Sequence, residues 1–324
     1  MRPTPSDVHV NAPLTNISIA YIQRANMFIA DRVFPMVPVS KQSDRYFVYT
    51  RADWLRNEAQ LRGPASESAG GGWAIDNTPT YYADVWAVHK DVDDQTRQNA
   101  DAAINMDRDA TEYVTQQLWM KRDQVWASKF FNTGIWTTNL TGVAAAPGAN
   151  QFLRWDEPNS TPIDDITAQI MNIASLTGFK PNKLVLGPQV YNALRNSADV
   201  LDRIKYTQRG VVTTDLLASL MDLDEVVVPM SVTNTAIQGA TENTAFVFGK
   251  SALLVYSAPN PGLLTPSAGY IFTWNGLLGA GAYGNRIKRF RMDWLAADRV
   301  EGELAFDCKL IAPELGCFFT TAVS

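Results

Sequence analysis

Residues 63–79 read GPASESAGGGWAIDNTP, a stretch too long and too rich in glycine, serine and alanine to close a tight turn. On either side lies a run of aromatic and β-branched residues in two-residue alternation, DRYFVYTRAD at 44–53 and TYYADVWAVHKDV at 80–92. Such runs form strands. Two strands able to pair behind a glycine-rich tip predict a long hairpin projecting from whatever body carries it. The tip holds Trp73 and Ile75 with little apolar company nearby. Left in water, each would forgo about 1.5–3 kcal/mol. The sequence therefore predicts a second surface to cover them, and a neighbouring copy of the chain is the economical choice. Tyr46, Tyr49, Trp54, Tyr81, Tyr82 and Trp86 crowd the two strands, either as an ordinary half-buried face or as the aromatic anchors that interfaces favour. Arg56, Arg62, Glu58 and Glu67 lie in the same region. Pairs among them would set register more than strength, since exposed ion pairs contribute about 0–1 kcal/mol.

The amino-terminal segment adds a second constraint. Residues 1–40 open as a polar, proline-containing arm, and 18–26, with Ile19, Tyr21 and Ile22, predict a short amphipathic helix. The arm ends in FIADRVFPMVPVSK, where Pro35 and Pro38 each remove a backbone donor. Such a stretch cannot be an interior sheet strand. It predicts an extended arm laid over another surface, with Phe34 and Pro35 among its contacts.

Behind the hairpin, 107–131 predicts a helix of unusual length. Ala110, Val114, Leu118, Val125 and Trp126 share one broad face, Asp107 and Asp109 sit in the first turn, and Lys121, Arg122 and Lys129 lie toward the end. At about 1.5 Å per residue it would span roughly 35–40 Å, the length of a strut. A glycine-, alanine- and asparagine-rich loop, 134–150, separates it from a second helix at 163–176, closed by Gly178. Then come a strand at 183–187, a proline-started helix at 188–196, a helix at 211–221, a strand at 225–228 and strand-like residues over 244–257. This is an α/β lobe. From 286 the period changes to two, again over 300–311 and 316–322, which predicts a closing antiparallel sheet packed on the long helix.

Composition narrows the function. With 324 residues, 46% of them hydrophobic, the chain can bury one large core or two modest ones sharing an interface. A net charge of −5, from 28 basic and 33 acidic residues, gives no field able to hold many phosphates, which argues against sequence-specific nucleic-acid binding. Cys308 and Cys317 match no zinc or redox spacing and read as reduced thiols formed in a cytoplasm. Residues 1–12 lack the apolar stretch of a secretory signal, and no run of eighteen apolar residues predicts a spanning helix.

Catalytic constellations are sparse. Gly279, Gly281 and Gly284 match G-x-G-x-x-G formally, but the residues after them alternate as a strand, so a hinge or turn is expected in place of a dinucleotide site. His9 and His89 are the two histidines, and His89 reads as solvated or interfacial. Asp91, Asp93 and Asp94 read as dipole partners between a strand and a helix ahead of a cation site. No serine sits in a nucleophile elbow, and Asn139-Leu140-Thr141 is a glycosylation acceptor only in a secreted protein.

An arm, a projecting hairpin, a strut helix, an inserted α/β lobe and a closing sheet, in that order, resemble the Hong Kong 97-type fold of tailed-phage major capsid proteins. FIADRVFPMVPVSKQSDRYFVY, 28–49, is similar to the passage from N-arm to E-loop in such proteins, and VLGPQVYNALRN, 185–196, to the entry of the axial domain. The resemblance implies an α+β fold with an N-arm (1–40), an E-loop (41–92), a peripheral P-domain (93–186) containing a spine helix (105–131), an axial A-domain (187–280) and a closing P-domain sheet (281–324). It implies a non-enzymatic head protein without cofactor or metal, assembled in the host cytoplasm from hexamers and pentamers into an icosahedral virion shell. That shell would enclose double-stranded DNA without reading its sequence and without a membrane, with scaffold, portal and decoration proteins as further partners. Inter-subunit contacts would fall on Phe34, Pro35, Tyr46, Tyr49, Trp54, Arg56, Arg62, Trp73, Ile75, Tyr81, Tyr82 and Trp86. Two departures matter. Residues 63–79 contain no lysine, so the isopeptide cross-link of the namesake is not expected, and no long charged helix precedes the arm to act as a fused scaffold. The alternatives are an encapsulin-like compartment of the same fold, a nicotinamide-dependent enzyme using the glycine run, and a β-rich adhesin or tail protein.

Overall fold

In a computed structural model of the chain, the long helix runs Met106–Phe130 and organises everything around it. Residues 25–100, 105–205, 212–262, 264–277 and 284–324 are described. The predicted 18–26 helix and His9 lie almost wholly outside that set, as do Gly279 and Gly281. Asn105 caps the long helix by accepting the Arg108 N–H at 3.1 Å, and Asp107 and Asp109 stand at its positive end. Its buried face is Ala110, Val114, Leu118, Arg122, Asp123, Trp126 and Phe130. The apolar part follows the predicted stripe, with two charged residues added.

Against that face lies a sheet built around the fourteen-residue strand Ala297–Leu310. One of its edges pairs antiparallel with Asp84–Asp93; the other pairs with Asn285–Met292 and then with Gly269–Trp274. Gly302 faces Val114 and Leu118 of the long helix. A Cβ there would collide with Val114 and Leu118. Gly302→Ala should therefore cost about 1–3 kcal/mol through overpacking, read as a lower urea midpoint at unchanged slope.

Met36–Val39 joins this sheet at its edge, parallel to Gly269–Trp274. An edge is where a strand with Pro38 can sit, since one side of its backbone needs no partner. The arm thus rests on its own body at this point. Phe34, expected at an interface, is fully buried, its ring 4.7 Å from Phe130 and 5.6 Å from Trp126. A side chain enclosed by its own core offers nothing to a neighbour, so Phe34 leaves the interface set.

A second sheet has the order Glu225–Val227, Lys183–Leu186, Ala252–Val255, Gly316–Thr320, Thr138–Val143, Gln151–Leu153. Both its faces are covered. Leu184, Leu186, Leu254 and Phe319 face a core shared with helices Pro162–Thr177, Pro188–Asn196, Ala198–Ile204 and Thr214–Leu220, while Val185, Leu253, Val255 and Phe318 face the core of the long helix. The period of two along each strand produces this division. Pro162–Thr177 ends at Gly178, whose φ of 79° is the left-handed cap.

Two readings of the sequence change. Gly316–Thr320 belongs to this second sheet and not to the closing one, because the turn Pro313–Leu315 intervenes. The stretch 244–257 is not one strand: Thr244–Phe246 pairs with Val232–Asn234 in a separate hairpin, and only Ala252–Val255 enters the sheet.

Candidate assembly surface

The predicted hairpin is present as a ribbon paired in two short patches. Ser43–Arg45 pairs antiparallel with Thr80–Tyr82, and Val48–Tyr49 with Ile75–Asp76. Beyond them, Arg51–Leu55 turns into a short helix, and Asp53 crosses the tip to accept the Ala74 N–H at 3.0 Å. The second predicted strand divides at Ala83: Thr80–Tyr82 stays with the ribbon, while Asp84–Asp93 is committed to the body sheet.

The neck is fastened from several directions. Gln42 and Ala83 exchange hydrogen bonds, from the Ala83 N–H to the Gln42 carbonyl at 2.8 Å and from Gln42 Nε2 to the Ala83 carbonyl at 3.1 Å. The Tyr81 ring stacks on Phe272 at 4.7 Å, and its hydroxyl donates to the Lys41 carbonyl at 3.2 Å. Tyr46 packs on the same Phe272 at 5.5 Å. Trp86 is half-buried beneath the Lys121 ammonium, 4.2 Å from the ring centre. Pro35 is half-buried at the arm's entry to the sheet, its carbonyl accepting the Ile271 N–H. Tyr81 and, in part, Tyr46 are therefore anchors of the ribbon on its own subunit, while Trp86 belongs to the body sheet beside the long helix.

Outward from the neck the apolar surface is uncovered. Trp54 is 54% exposed and Trp73 is 61% exposed, their rings 5.6 Å apart, with Tyr49 edge-on to Trp54 at 6.0 Å. Ile75 is exposed two residues along from Trp73, Tyr82 is exposed at the neck, and Phe47, Leu55 and Leu61 are exposed along the ribbon. The last three were not singled out in the sequence; the signal was available as large apolar residues flanking charged ones in a ribbon with no second layer. Arg56 pairs with Glu58 at 3.4 Å and Asp53 at 3.7 Å, and Arg62 Nε donates to the Ser66 carbonyl at 2.6 Å, so both arginines stiffen the ribbon itself. Between ribbon and body runs a groove of about 980 Å³, with Tyr49, Trp54 and Leu55 on one wall and Phe179, Leu264 and Leu315 on the other. Arg51 and Glu314 face each other across it at 3.8 Å.

Charge elsewhere is spent on bracing. Asp91 holds Arg299 through both oxygens at 2.7 and 3.1 Å, Asp93 caps Thr96, and Asp94 takes Arg291. The acidic cluster thus serves strand–strand pairs and a helix cap. Asp298 receives Arg289 and Arg97, whose hydrogen bonds hold its carboxyl down at about 2. Among the described residues no group of three or more histidine, cysteine and acidic side chains could hold a metal. Gly284 has a φ of 69° and leads directly into the strand Asn285–Met292, so no helix amino terminus follows the glycine run. Burial pushes the thiols of Cys308 and Cys317 up to about 12, which makes them packing residues. No helix among the described residues is long and apolar enough to cross a membrane.

A long buried helix, a sheet laid on it, a second α/β lobe and a projecting ribbon with uncovered aromatics make up the Hong Kong 97-type fold. Solved structures agree on the fold. A phage-related protein from Bordetella bronchiseptica superposes with a TM-score of 0.69 at 20% identity over 93% of both chains. The capsid of cyanophage P-SCSP1u gives 0.60 at 10% identity, over 94% of this chain and 90% of that one. The holo-SrpI encapsulin of Synechococcus elongatus also shares the fold, at 0.54 and 10% over 95% and 93%. In sequence, the major capsid protein of Pseudomonas phage JBD67 is 26% identical over 321 residues, 97% of each chain, and that of Burkholderia phage BcepMu 22% over 68% of each. Over nearly its whole length the chain is thus similar in sequence to a phage major capsid protein. No family model matches it.

Proposed function

We propose that this chain builds the closed shell of a tailed-phage head by binding further copies of itself, as hexamers and pentamers arranged around their α/β lobes. The supporting observation is the ribbon: Trp54, Trp73 and Ile75 are exposed toward its outer end and Tyr82 at its neck. In the shell the ribbon lies on a neighbour, and burying those side chains contributes about 1.5–3 kcal/mol each. Repetition of one contact under closed symmetry then generates the particle. The subunit acts through binding and performs no chemistry. Its interior holds double-stranded DNA without reading it, in keeping with a charge of −5, which cannot clamp the genome to the wall. With no lysine in 63–79, cohesion comes from buried area or from a decoration protein and not from a covalent weld. The domain ranges 1–40, 41–92, 93–186, 187–280 and 281–324, host-cytoplasmic assembly, and separate scaffold and portal chains belong to the same reading.

Negative-stain microscopy of the expressed protein should show closed particles of uniform diameter. Monomers or fibres alone would remove the proposal. Nucleic acid inside particles from infected cells separates a phage head from a compartment loaded with protein.

A further inference from the structure

The ribbon leaves the body through a narrow neck, and one buried carboxylate ties that neck to the two elements behind it. Asp307, in strand Ala297–Leu310, is only 4% exposed. Its Oδ2 accepts the backbone N–H of Tyr82 at 3.0 Å and lies 3.2 Å from Lys309 Nζ. Its Oδ1 takes the Lys129 ammonium at 2.6 Å. Tyr82 ends the paired neck, and Lys129 stands in the last turn of the long helix, so ribbon, helix and sheet meet at one side chain. Phe272, the cross-strand partner of Asp307, carries the stacked Tyr81 ring. Burying a carboxylate is costly unless several donors converge on it. Here they converge from three elements, on the leg of the ribbon opposite the one held by the backbone pairing of Met36–Val39 with Gly269–Trp274.

We infer that Asp307 is the positioning residue that fixes the angle at which the ribbon departs, and through it the angle between neighbouring subunits. From Thr80 out to Trp73 an extended chain reaches roughly 25 Å, so a swing of about 10° at the neck moves Trp73 by about 4 Å, close to the 4.8 Å or so between paired strands. A contact made by Trp54 and Trp73 on another subunit is shifted or lost by so small a change. The effect on shell geometry rests on the shell-forming function proposed above; the effect on the neck does not.

Two variants test this in the full-length protein. Asp307→Asn keeps an acceptor for Tyr82 but removes the charge that holds both lysines and the second oxygen that takes Lys129. Lys129→Met cuts only the link to the helix, and Lys129 is exposed enough to be replaced without opening the core. Hydrogen exchange at the Tyr82 amide and its neighbours in 80–83 should accelerate about tenfold or more in both, with the amides of Ala297–Leu310 away from position 307 holding their protection. Particles should change from one diameter to several, with tubes or open sheets among them. A residue that only stabilised the fold would lower the unfolding temperature and leave the diameter of surviving particles unchanged. Wild-type neck protection together with a single wild-type diameter in Lys129→Met overturns the inference, even where Asp307→Asn fails to fold. If the wild-type protein itself forms no particles, the shell proposal fails, and exchange at Tyr82 still decides the role of Asp307.

Discussion

Deleting residues 63–79 yields a subunit that melts within about 2 °C of the wild type and forms no shells. The segment is exposed almost throughout; within its own subunit it offers Ala74 to Asp53 and Thr50, the short pairing of Ile75–Asp76 with Val48–Tyr49, the Ser66 carbonyl to Arg62 and the Pro79 carbonyl to Tyr46. None of this touches either core, so folding loses little. Assembly loses Trp73 and Ile75 directly and leaves Trp54 without the ring it packs against. Two large side chains at about 1.5–3 kcal/mol each, in every copy, are enough to carry a repeated contact below the threshold for closure. Sedimentation and electron microscopy give the readout, with circular dichroism confirming the fold. Intact particles from the deletion would take the ribbon off the assembly surface.

Asp123→Ala should be among the most damaging single changes to the subunit itself, at about 2–4 kcal/mol. This carboxylate is fully buried, and its two oxygens accept the backbone N–H groups of Ile29 and Ala30 at 3.0–3.2 Å, fixing the entry of the arm onto the long helix. Alanine would strand both donors inside the core. Burial pushes the Asp123 carboxyl up to about 6, against the pull of those N–H groups and of Arg122, with Asp31 adding to the rise. Because the folded value lies above the unfolded one, the native state binds the extra proton between about pH 4 and 6. Its contribution is complete below about pH 4 and disappears as pH rises through 6, a loss of about 3 kcal/mol across the window. Urea titrations from pH 4 to 7 should show that slope in the wild type and its absence in Asp123→Asn. Equal slopes in the two proteins would mean that Asp123 titrates normally.

The long helix was legible in the sequence because its apolar spacing, acidic start and basic end all agree, and the structure moves its limits by one residue, to Met106–Phe130. The ribbon was legible from the contrast between aromatic strands and a glycine-rich tip. What stayed hidden depended on long-range partners. The alternation in 80–92 signals a strand without saying that Thr80–Tyr82 pairs with the ribbon and Asp84–Asp93 with Ala297–Leu310. Phe34 looked available because its prolines exclude an interior strand, and an edge position on its own sheet satisfies the same condition. Asp123 and Asp307 were not singled out in the sequence, since desolvation by residues more than ninety positions away leaves no local trace. The neck aromatics Tyr46 and Tyr81 were expected at an interface between subunits, and their shared partner Phe272 within the same chain could not be known from spacing.

The second sheet sends alternate residues into two cores, Leu184 and Leu254 to one side, Val185 and Leu253 to the other. Such a common wall acts mechanically as a diaphragm: neither lobe can tilt without shearing packed side chains in both rooms at once. Pressure from a tightly filled interior would then be borne by each subunit as a stiff plate, and the compliance of the container would be confined to the slender joints between plates.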